Sequence, residues 1–168
     1  MSHQPPLEAP DVHCLSAALG WLGLGNPKEA QAELDQISAA KQKHVDVLEV
    51  RWLIRAEQKD WRAALALARA IQEADSGRAS GWLHYAYALR RVPEGGVEQA
   101  WDALRPAVEK FPGEAIIPYN LSCYACRMNR LSEARQWLAR AMAVGGQEKF
   151  TRMALADADL KPLWREIA

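Results

Sequence analysis

The most specific chemical signal in the chain is a pair of cysteines, Cys123 and Cys126, in the stretch CYAC. A C-x-x-C pair serves as a redox dithiol or as half of a structural zinc site. A redox pair usually places its first cysteine at a helix N-terminus, where the helix dipole lowers the thiol pKa. Here the apolar pattern predicts a helix that begins near Ala115, which leaves both thiols in its latter half. Zinc requires four ligands, and Cys14 is the one further cysteine. We interpret the pair as two small side chains of a helix, and keep thiol-dependent activity as an alternative hypothesis.

Other residues capable of chemistry are scattered. The four histidines show neither an H-E-x-x-H motif nor an i, i+4 pair; they are His3, His13, His44 and His84. The positions of His13 and His44 near predicted helix starts are typical of capping or solvated residues, and His84 is typical of a packed histidine. No serine lies in a G-x-S-x-G elbow, and no glycine-rich phosphate loop is present. The sequence therefore predicts no catalytic residue, no metal site and no cofactor, and so no enzyme.

Composition excludes several classes of partner. The chain has 168 residues, 49% of them hydrophobic, and its 21 basic and 21 acidic residues cancel. A neutral chain offers no electrostatic attraction to nucleic acid or to an anionic membrane. No run approaches the ~18 apolar residues of a membrane span, and the start MSHQPPLEAPD lacks the pattern of a secretory signal. Three cysteines, an odd number, argue against a disulfide framework, so we expect a cytoplasmic protein.

A repeat organises most of the chain. Four turn-like stretches (GNPKEA, KDWRAA, GGVEQA and NRLSEA) each end in an alanine, and these alanines are 34, 36 and 34 residues apart: Ala30, Ala64, Ala100 and Ala134. Apolar or small residues follow each alanine at +4 and +7, which marks one face of a helix. A largely apolar stretch of about ten residues precedes each turn and also predicts a helix. Two helices per repeat, stacked on their neighbours, build a solenoid with a continuous core.

The period and the small residue early in each second helix resemble the tetratricopeptide repeat (TPR) family. That family also favours a small residue midway along the first helix; Ala18, Ala86 and Ser122 match, whereas Trp52 does not. The resemblance implies an all-α fold, an α-α superhelical solenoid of about four TPR-like helical hairpins plus C-terminal capping helices. We expect an irregular lead-in over residues 1–10 and four repeats over residues 11–148. The repeat bounds are 11–44, 45–78, 79–114 and 115–148.

Three further features are expected to modify the repeat. Two extra residues around RRVPEGG lengthen the turn of the third repeat, and Pro106 predicts a kink in the helix that follows. Gly20 and Gly23 lie in the first predicted helix, either as close-packing sites or as residues that weaken the helix. Residues 147–168 follow a Gly-Gly helix stop and are expected to form helices that cap the solenoid; the alternative is a detachable tail that binds a partner.

The resemblance also implies a binding site, because the first helices of TPR repeats line a concave groove that holds peptides or partner helices. Carried over by phase, the groove positions are Leu15, Leu19 and Leu22 in the first repeat, Asp46, Glu49, Leu53 and Glu57 in the second, Leu83, Tyr87 and Arg90 in the third, and Tyr119, Cys123, Cys126 and Arg127 in the fourth. This set predicts a groove that is apolar at one end, acidic in the second repeat, and aromatic with arginines toward the fourth. An alternative is that the N-terminal segment covers the leucines of the first repeat.

The resulting function hypothesis is a protein–protein interaction adaptor or scaffold that binds a peptide or partner protein in this groove. The alternative is a dedicated chaperone for a client protein, similar to the TPR-type chaperones of bacterial secretion systems. Weak self-association through an exposed end of the solenoid is a further hypothesis. Each assigns a protein or peptide as the partner, without nucleic acid or membrane.

Overall fold

The computed structural model describes residues 4–167, and within that range the chain forms helices and turns without a strand. The predicted all-α fold of paired helices followed by C-terminal helices is confirmed. The chain divides between Ala88 and Leu89 into two compact units, here called unit 1 and unit 2.

Residues 1–3 and 168 lie outside the described part, and with them His3. The lead-in predicted for residues 1–10 and the cap predicted for residues 147–168 are therefore seen only in part. The predicted repeat bounds stay predictions of domain organisation.

Unit 1 consists of two helical hairpins and one further helix. Its helices are α1 (Asp11–Gly23), α2 (Pro27–Asp35), α3 (Val45–Glu57), α4 (Trp61–Ala74) and α5 (Ala79–Leu89), the last of which ends at the first residue of unit 2, and a 3-10 turn spans Ala39–Lys41. α1 pairs with α2, α3 pairs with α4, and α1 also contacts α3. Side chains cap α2 and α4, where Asn26 accepts a hydrogen bond from the Glu29 amide and Asp60 accepts one from the Ala63 amide.

The turn inside three hairpins has one backbone geometry. Gly25, Lys59 and Asn129 occupy the same repeat position, with φ values of 72°, 58° and 59°. In each case this residue donates a hydrogen bond to the carbonyl three residues earlier, and the next amide donates to the carbonyl five residues earlier. This is the Schellman arrangement, which ends a helix through one left-handed residue. It lets the second helix fold straight back along the first.

Small residues permit the paired helices to cross closely. Ala30, Ala64, Ala100 and Ala134 are all 0% exposed. In the first helices Ala18, Ala86 and Ser122 are equally buried, and the Ser122 hydroxyl donates to the Ala134 carbonyl at 2.8 Å. In α3 the same position holds Trp52, which is 6% exposed, so a small residue of the first helix is not required at every crossing.

Within residues 89–167, unit 2 contains a helix that is interrupted at Pro106, one regular hairpin and the C-terminal elements. Its elements are α6 (Val97–Leu104), α7 (Ala107–Lys110), α8 (Ile116–Arg127), α9 (Leu131–Gly145), α10 (Gln147–Ala156), a 3-10 segment (Ala158–Leu163) and α11 (Trp164–Ile167). The kink predicted at Pro106 is a full interruption: α6 ends before it and α7 begins after it. Proline lacks an amide hydrogen and its ring clashes one turn back.

The C-terminal elements pack onto α8 and α9. Phe150 of α10 and Leu160 of the 3-10 segment are 0% exposed, and Leu163 is 1% exposed. Arg135 of α9 and Glu166 of α11 form a bidentate ion pair at 2.5 and 2.7 Å. The described part of this region is therefore built into the hydrophobic core of unit 2.

The described part of the N-terminal segment packs against the start of α3. Leu7 belongs to the core cluster of unit 1. The Gln4 side chain accepts a hydrogen bond from the Val45 amide at 2.9 Å. His44 caps α3 through Nδ1, which accepts from the Asp46 amide, while its Nε2 lies 3.0 Å from the Pro5 carbonyl. The capping role expected for His44 is therefore observed.

The two helix glycines Gly20 and Gly145 should respond oppositely to alanine. A Cβ at Gly20 would meet nothing within 4 Å, so Gly20 weakens α1 rather than packing closely. We expect Gly20→Ala to raise the free energy of unfolding by about 0.5–1 kcal/mol. A Cβ at Gly145 would lie 2.1 Å from Phe150 and 2.6 Å from Ala115, so Gly145→Ala should lower it by about 1–3 kcal/mol. Urea unfolding of both variants tests this, and equal effects of the same sign would contradict the packing described.

Candidate functional site

Three large apolar side chains occupy one repeat position of unit 1 and stay exposed. Leu19 of α1, Leu53 of α3 and Tyr87 of α5 follow one another at 34-residue intervals and are 47%, 39% and 37% exposed. Their helices are neighbours: α1 contacts α3, and Trp52 of α3 stacks on His84 of α5 with ring centroids 3.7 Å apart. We call Leu19, Leu53 and Tyr87 the apolar row.

The other two leucines predicted for the groove, Leu15 and Leu22, lie elsewhere. Both are half-buried and pack against the core cluster of unit 1. The prediction that the α1 leucines line an open groove is therefore corrected to Leu19 alone. Leu15 and Leu22 are seven residues apart and so lie on one face of α1. That face packs against the core cluster of unit 1. Residues 4–10 of the N-terminal segment do not cover Leu19, which is 47% exposed.

The acidic part of the predicted groove is partly neutralised by a residue that the sequence did not single out. Arg78 lies 2.7 Å from Asp46 and 3.4 Å from Glu49. The Ser80 hydroxyl also donates to Glu49, at 2.5 Å. Arg78 directly precedes α5, a position that helix periodicity does not assign to any face. Glu57, near the end of α3, is exposed.

Aromatic rings support the Tyr87 end of the apolar row. The Tyr87 ring makes edge contacts with Trp52 and Trp61, with centroids 6.0 and 5.9 Å apart. His84 stacks on Trp52, and Leu83 is half-buried. Burial lowers the pKa of His84 from 6.5 to about 4, because the imidazolium would lose its hydration. His84 is thus a neutral packing residue, as its sequence context indicated, and it holds the α3–α5 contact beside Tyr87.

In unit 2 the predicted groove residues of α8 are covered. Tyr119, Cys123 and Cys126 are 6%, 3% and 7% exposed, so the expectation that they line an open surface is wrong. The 3-10 segment packs on α8 and shields them. Arg127, at the end of α8, has a side chain that is 61% exposed.

Two carboxylates of the C-terminal region, Asp157 and Asp159, organise this covered face. The Tyr119 hydroxyl donates to Asp157 at 3.0 Å, and the Cys123 thiol lies 3.5 Å from the same oxygen. Arg90 donates to Asp159 at 2.8 Å, and Arg127 lies 3.8 Å from the other Asp159 oxygen. The four residues that contact these carboxylates were all predicted groove residues, whereas neither aspartate was predicted to belong to a site. Their D-x-D spacing was visible, yet their place over α8 depends on the fold of the last 20 or so residues.

The surroundings of the two cysteines disfavour thiol chemistry. Burial raises the pKa of the Cys123 thiol well above its usual range, and Asp157 raises it further. Burial also raises the pKa of Cys126, to about 11, with Asp159 adding to the effect. A thiolate is the reactive form of cysteine, so neither thiol is activated at neutral pH. Residues 4–167 contain no group of three or more His, Cys, Asp or Glu side chains placed to hold a metal ion.

Comparison with known proteins bears on the fold. The sequence matches no family model and no curated protein. The backbone is similar to a solved structure described as "MamA RS-1 ArsTM double mutant", with a TM-score of 0.65 and 16% sequence identity over 90% of this chain and 80% of that chain. MamA is a TPR-like protein. This chain has a TPR-like helical-repeat fold.

At 16% identity the likeness establishes architecture and carries no ligand across. None of the helices within residues 4–167 is long and apolar enough to cross a lipid bilayer.

The burial of Cys123 and Cys126 predicts uneven thiol reactivity. At about pH 8 we expect one thiol, that of the half-buried Cys14, to react first with 5,5′-dithiobis(2-nitrobenzoic acid). The other two should react at least tenfold more slowly, because they are covered and their thiol pKa values are raised. The denatured chain should show all three at once, and the Cys14→Ala variant should lose only the fast phase. A fast phase of two or three thiols in the native protein would contradict this.

The low pKa of His84 predicts acid sensitivity. Between pH 6.5 and about 4 the unfolded chain binds a proton at this residue and the folded protein does not, so stability is complete above pH 6.5 and falls as the pH drops. In His84→Phe, the loss in unfolding free energy between about pH 7 and about pH 4.5 should shrink by about 2–3 kcal/mol. Urea unfolding at both pH values measures this difference in unfolding free energy. The control variant is His13→Gln, because His13 of α1 is exposed. An unchanged pH dependence in His84→Phe would overturn the assignment.

Proposed function

We propose that this protein is a non-enzymatic interaction scaffold that binds a peptide or a segment of a partner protein on the first-helix face of unit 1. The single observation that carries the proposal is the apolar row, three large apolar side chains exposed at one repeat position. Single exposed leucines are common on protein surfaces. Here the same position stays exposed in three successive first helices, and grouped exposed apolar side chains mark interaction sites.

The row has the makeup of an interface anchor. Tyr87 is held by edge contacts to Trp52 and Trp61, so its ring is pre-positioned. Aromatic side chains contribute a large contact area and lose little conformational entropy on binding. Leu53 and Leu19 extend the apolar surface along α3 and α1. A ligand with apolar side chains at matching intervals would bury all three.

Charge indicates the flanks of that ligand. Asp46, Glu49 and Glu57 lie on the predicted groove positions of α3, and Arg78 balances only part of their negative charge. Opposite charge raises the association rate and selects among partners more than it adds affinity. We therefore propose a ligand whose apolar residues are flanked by lysine or arginine.

No catalytic step is assigned to any residue. The raised thiol pKa values of Cys123 and Cys126 and the neutral, stacked His84 support a structural role for the groups most capable of chemistry. A cytoplasmic location stays a prediction from the odd number of cysteines.

Selection from a random peptide library displayed on phage tests this function on the full chain. Wild-type protein should enrich sequences with spaced large apolar residues and basic flanks. A synthetic peptide so selected should bind Leu53→Glu at least tenfold more weakly, about 1.4 kcal/mol. Val144→Glu is the matched control, because Val144 of α9 is 40% exposed and lies outside the row; its affinity should stay within twofold of wild type.

The opposing outcome is recovered peptides that bind Leu53→Glu as tightly as wild type, which would remove the row from the binding site. Suppression of aggregation of an unfolded client by wild type but not by Leu53→Glu, without enrichment of any peptide pattern, would favour the dedicated chaperone instead.

A further inference from the structure

The face of α8 in unit 2 holds a short acidic segment in the manner of a bound peptide. We propose that residues 157–163 are an intramolecular ligand of α8, and that an acidic partner segment of the pattern Asp-x-Asp-Leu binds the same face by displacing them. The inference goes beyond the function proposed above, since it rests on contacts inside unit 2 and does not involve the apolar row.

Each carboxylate of the segment has its own receptor groups. Asp157 receives the Tyr119 hydroxyl at 3.0 Å and faces the Cys123 thiol at 3.5 Å. Asp159 pairs with Arg90 at 2.8 Å and lies 3.8 Å from Arg127. Hydrogen bonds in which the donor or the acceptor is charged are shorter and roughly twice as strong as neutral ones. The two aspartates of the D-x-D spacing are therefore bound by separate groups: Asp157 by the Tyr119 hydroxyl and the Cys123 thiol, and Asp159 by two arginines.

Apolar side chains of the same segment complete the contact. Leu160 directly follows Asp159 and is fully buried, and Leu163 is 1% exposed. Between them Lys161 and Pro162 are exposed. A buried leucine directly after the two aspartates gives the segment an apolar anchor beside its charges.

One side of the contact is open. A cleft of about 400 Å³ lies between Cys126 and Arg127 of α8 and the segment residues Ala158, Asp159, Lys161 and Pro162. A continuous core would leave no such space. The segment is also a 3-10 helix, whose hydrogen bonds have poorer geometry than those of an α-helix. Both features allow the segment to leave while α8 and α9 stay paired.

The repeat indicates that this face is a binding position rather than an ordinary core position. Cys123 follows Tyr87 by 36 residues, the 34-residue period plus the two inserted residues, and so corresponds to Leu19, Leu53 and Tyr87. Those three side chains are exposed, whereas Cys123 is 3% exposed under Asp157. The chain thus supplies from its own C-terminal region an occupant for a position that stays open elsewhere.

Charge separates this face from that of unit 1. The position of Arg127 in the repeat corresponds to Glu57 in α3. On the α8 face an acidic segment is attracted by Arg90 and Arg127. On the corresponding face of unit 1 the same segment would be repelled by Glu57. The two faces should consequently select partners of opposite charge.

Binding of a synthetic peptide to full-length protein tests the inference. The probe is a fluorescein-labelled peptide with the sequence of residues 155–164, and the host is the full chain with Asp157→Asn and Asp159→Asn, which weakens the internal ligand. By fluorescence anisotropy this host should bind the probe at least tenfold more tightly than wild type. The control host Asp102→Asn/Glu109→Gln, altered at two exposed carboxylates of α6 and α7, should behave as wild type.

Two further variants identify the contacts. A probe with both aspartates changed to asparagine should bind the weakened host at least tenfold less tightly, and adding Arg90→Ala to that host should have the same effect on the original probe. The inference is overturned by a weakened host that gains no affinity, or by a probe that binds equally well without its carboxylates.

Thiol exposure provides a measurement that does not depend on the weakened host. In the full chain with Cys14→Ala, the two remaining thiols should react through local opening of residues 157–163, at a rate that is nearly constant at low urea concentration. Asp159→Asn should raise that rate at least tenfold, while Asp102→Asn should not. A rate that follows global unfolding over the whole urea range would show that the segment never leaves on its own, and the inference would fail.

Discussion

The close crossing of paired helices is the constraint on which the remaining structure depends. Four alanines at the start of the second helices and small residues midway along the first helices are completely buried. Trp52 holds the equivalent place in α3, so the alanine of the second helix is the small residue that recurs at all four positions. The left-handed turn residues Gly25, Lys59 and Asn129 deliver each second helix to this crossing in the same register. Where the turn is longer, before α6, the second helix is also interrupted by Pro106.

Once the crossing is fixed, each first helix has one face committed to its hairpin partner and another left over. In unit 1 the leftover face carries the apolar row, with ring contacts among Trp52, Trp61, His84 and Tyr87 below its end. His84 belongs to this support and not to a reactive site, because its ring is stacked and its pKa is lowered by burial. These packed rings thus support the Tyr87 end of the apolar row.

In unit 2 the corresponding face of α8 is buried, because residues 157–163 pack against it. The carboxylates of Asp157 and Asp159 meet Tyr119, Arg90 and Arg127, and Leu160 and Leu163 are buried beside them. The same cover explains the inert cysteines. A thiol placed next to a carboxylate and away from water loses its tendency to ionise. In this chain the C-x-x-C pair consists of two covered side chains on one helix face, and the pKa of each thiol is raised.

The sequence by itself determined the helices, the turns between them and the TPR-like pairing. These follow from local signals: apolar residues at +4 and +7, small residues at a fixed period, and a turn-like stretch before each second helix. Local patterns also identified His44 as a cap and His84 as a packed residue. Only the tertiary structure decided which first-helix positions stay open. Leu19 is exposed while Leu15 and Leu22 join the core, a choice that depends on neighbours distant in the chain. The cover over Cys123 joins residues 34 positions apart and the Arg90–Asp159 pair joins residues 69 apart. The spacing of apolar residues predicts which side chains share one face of a helix. Whether that face is buried depends on a second segment, whose position is set by contacts between residues distant in the chain.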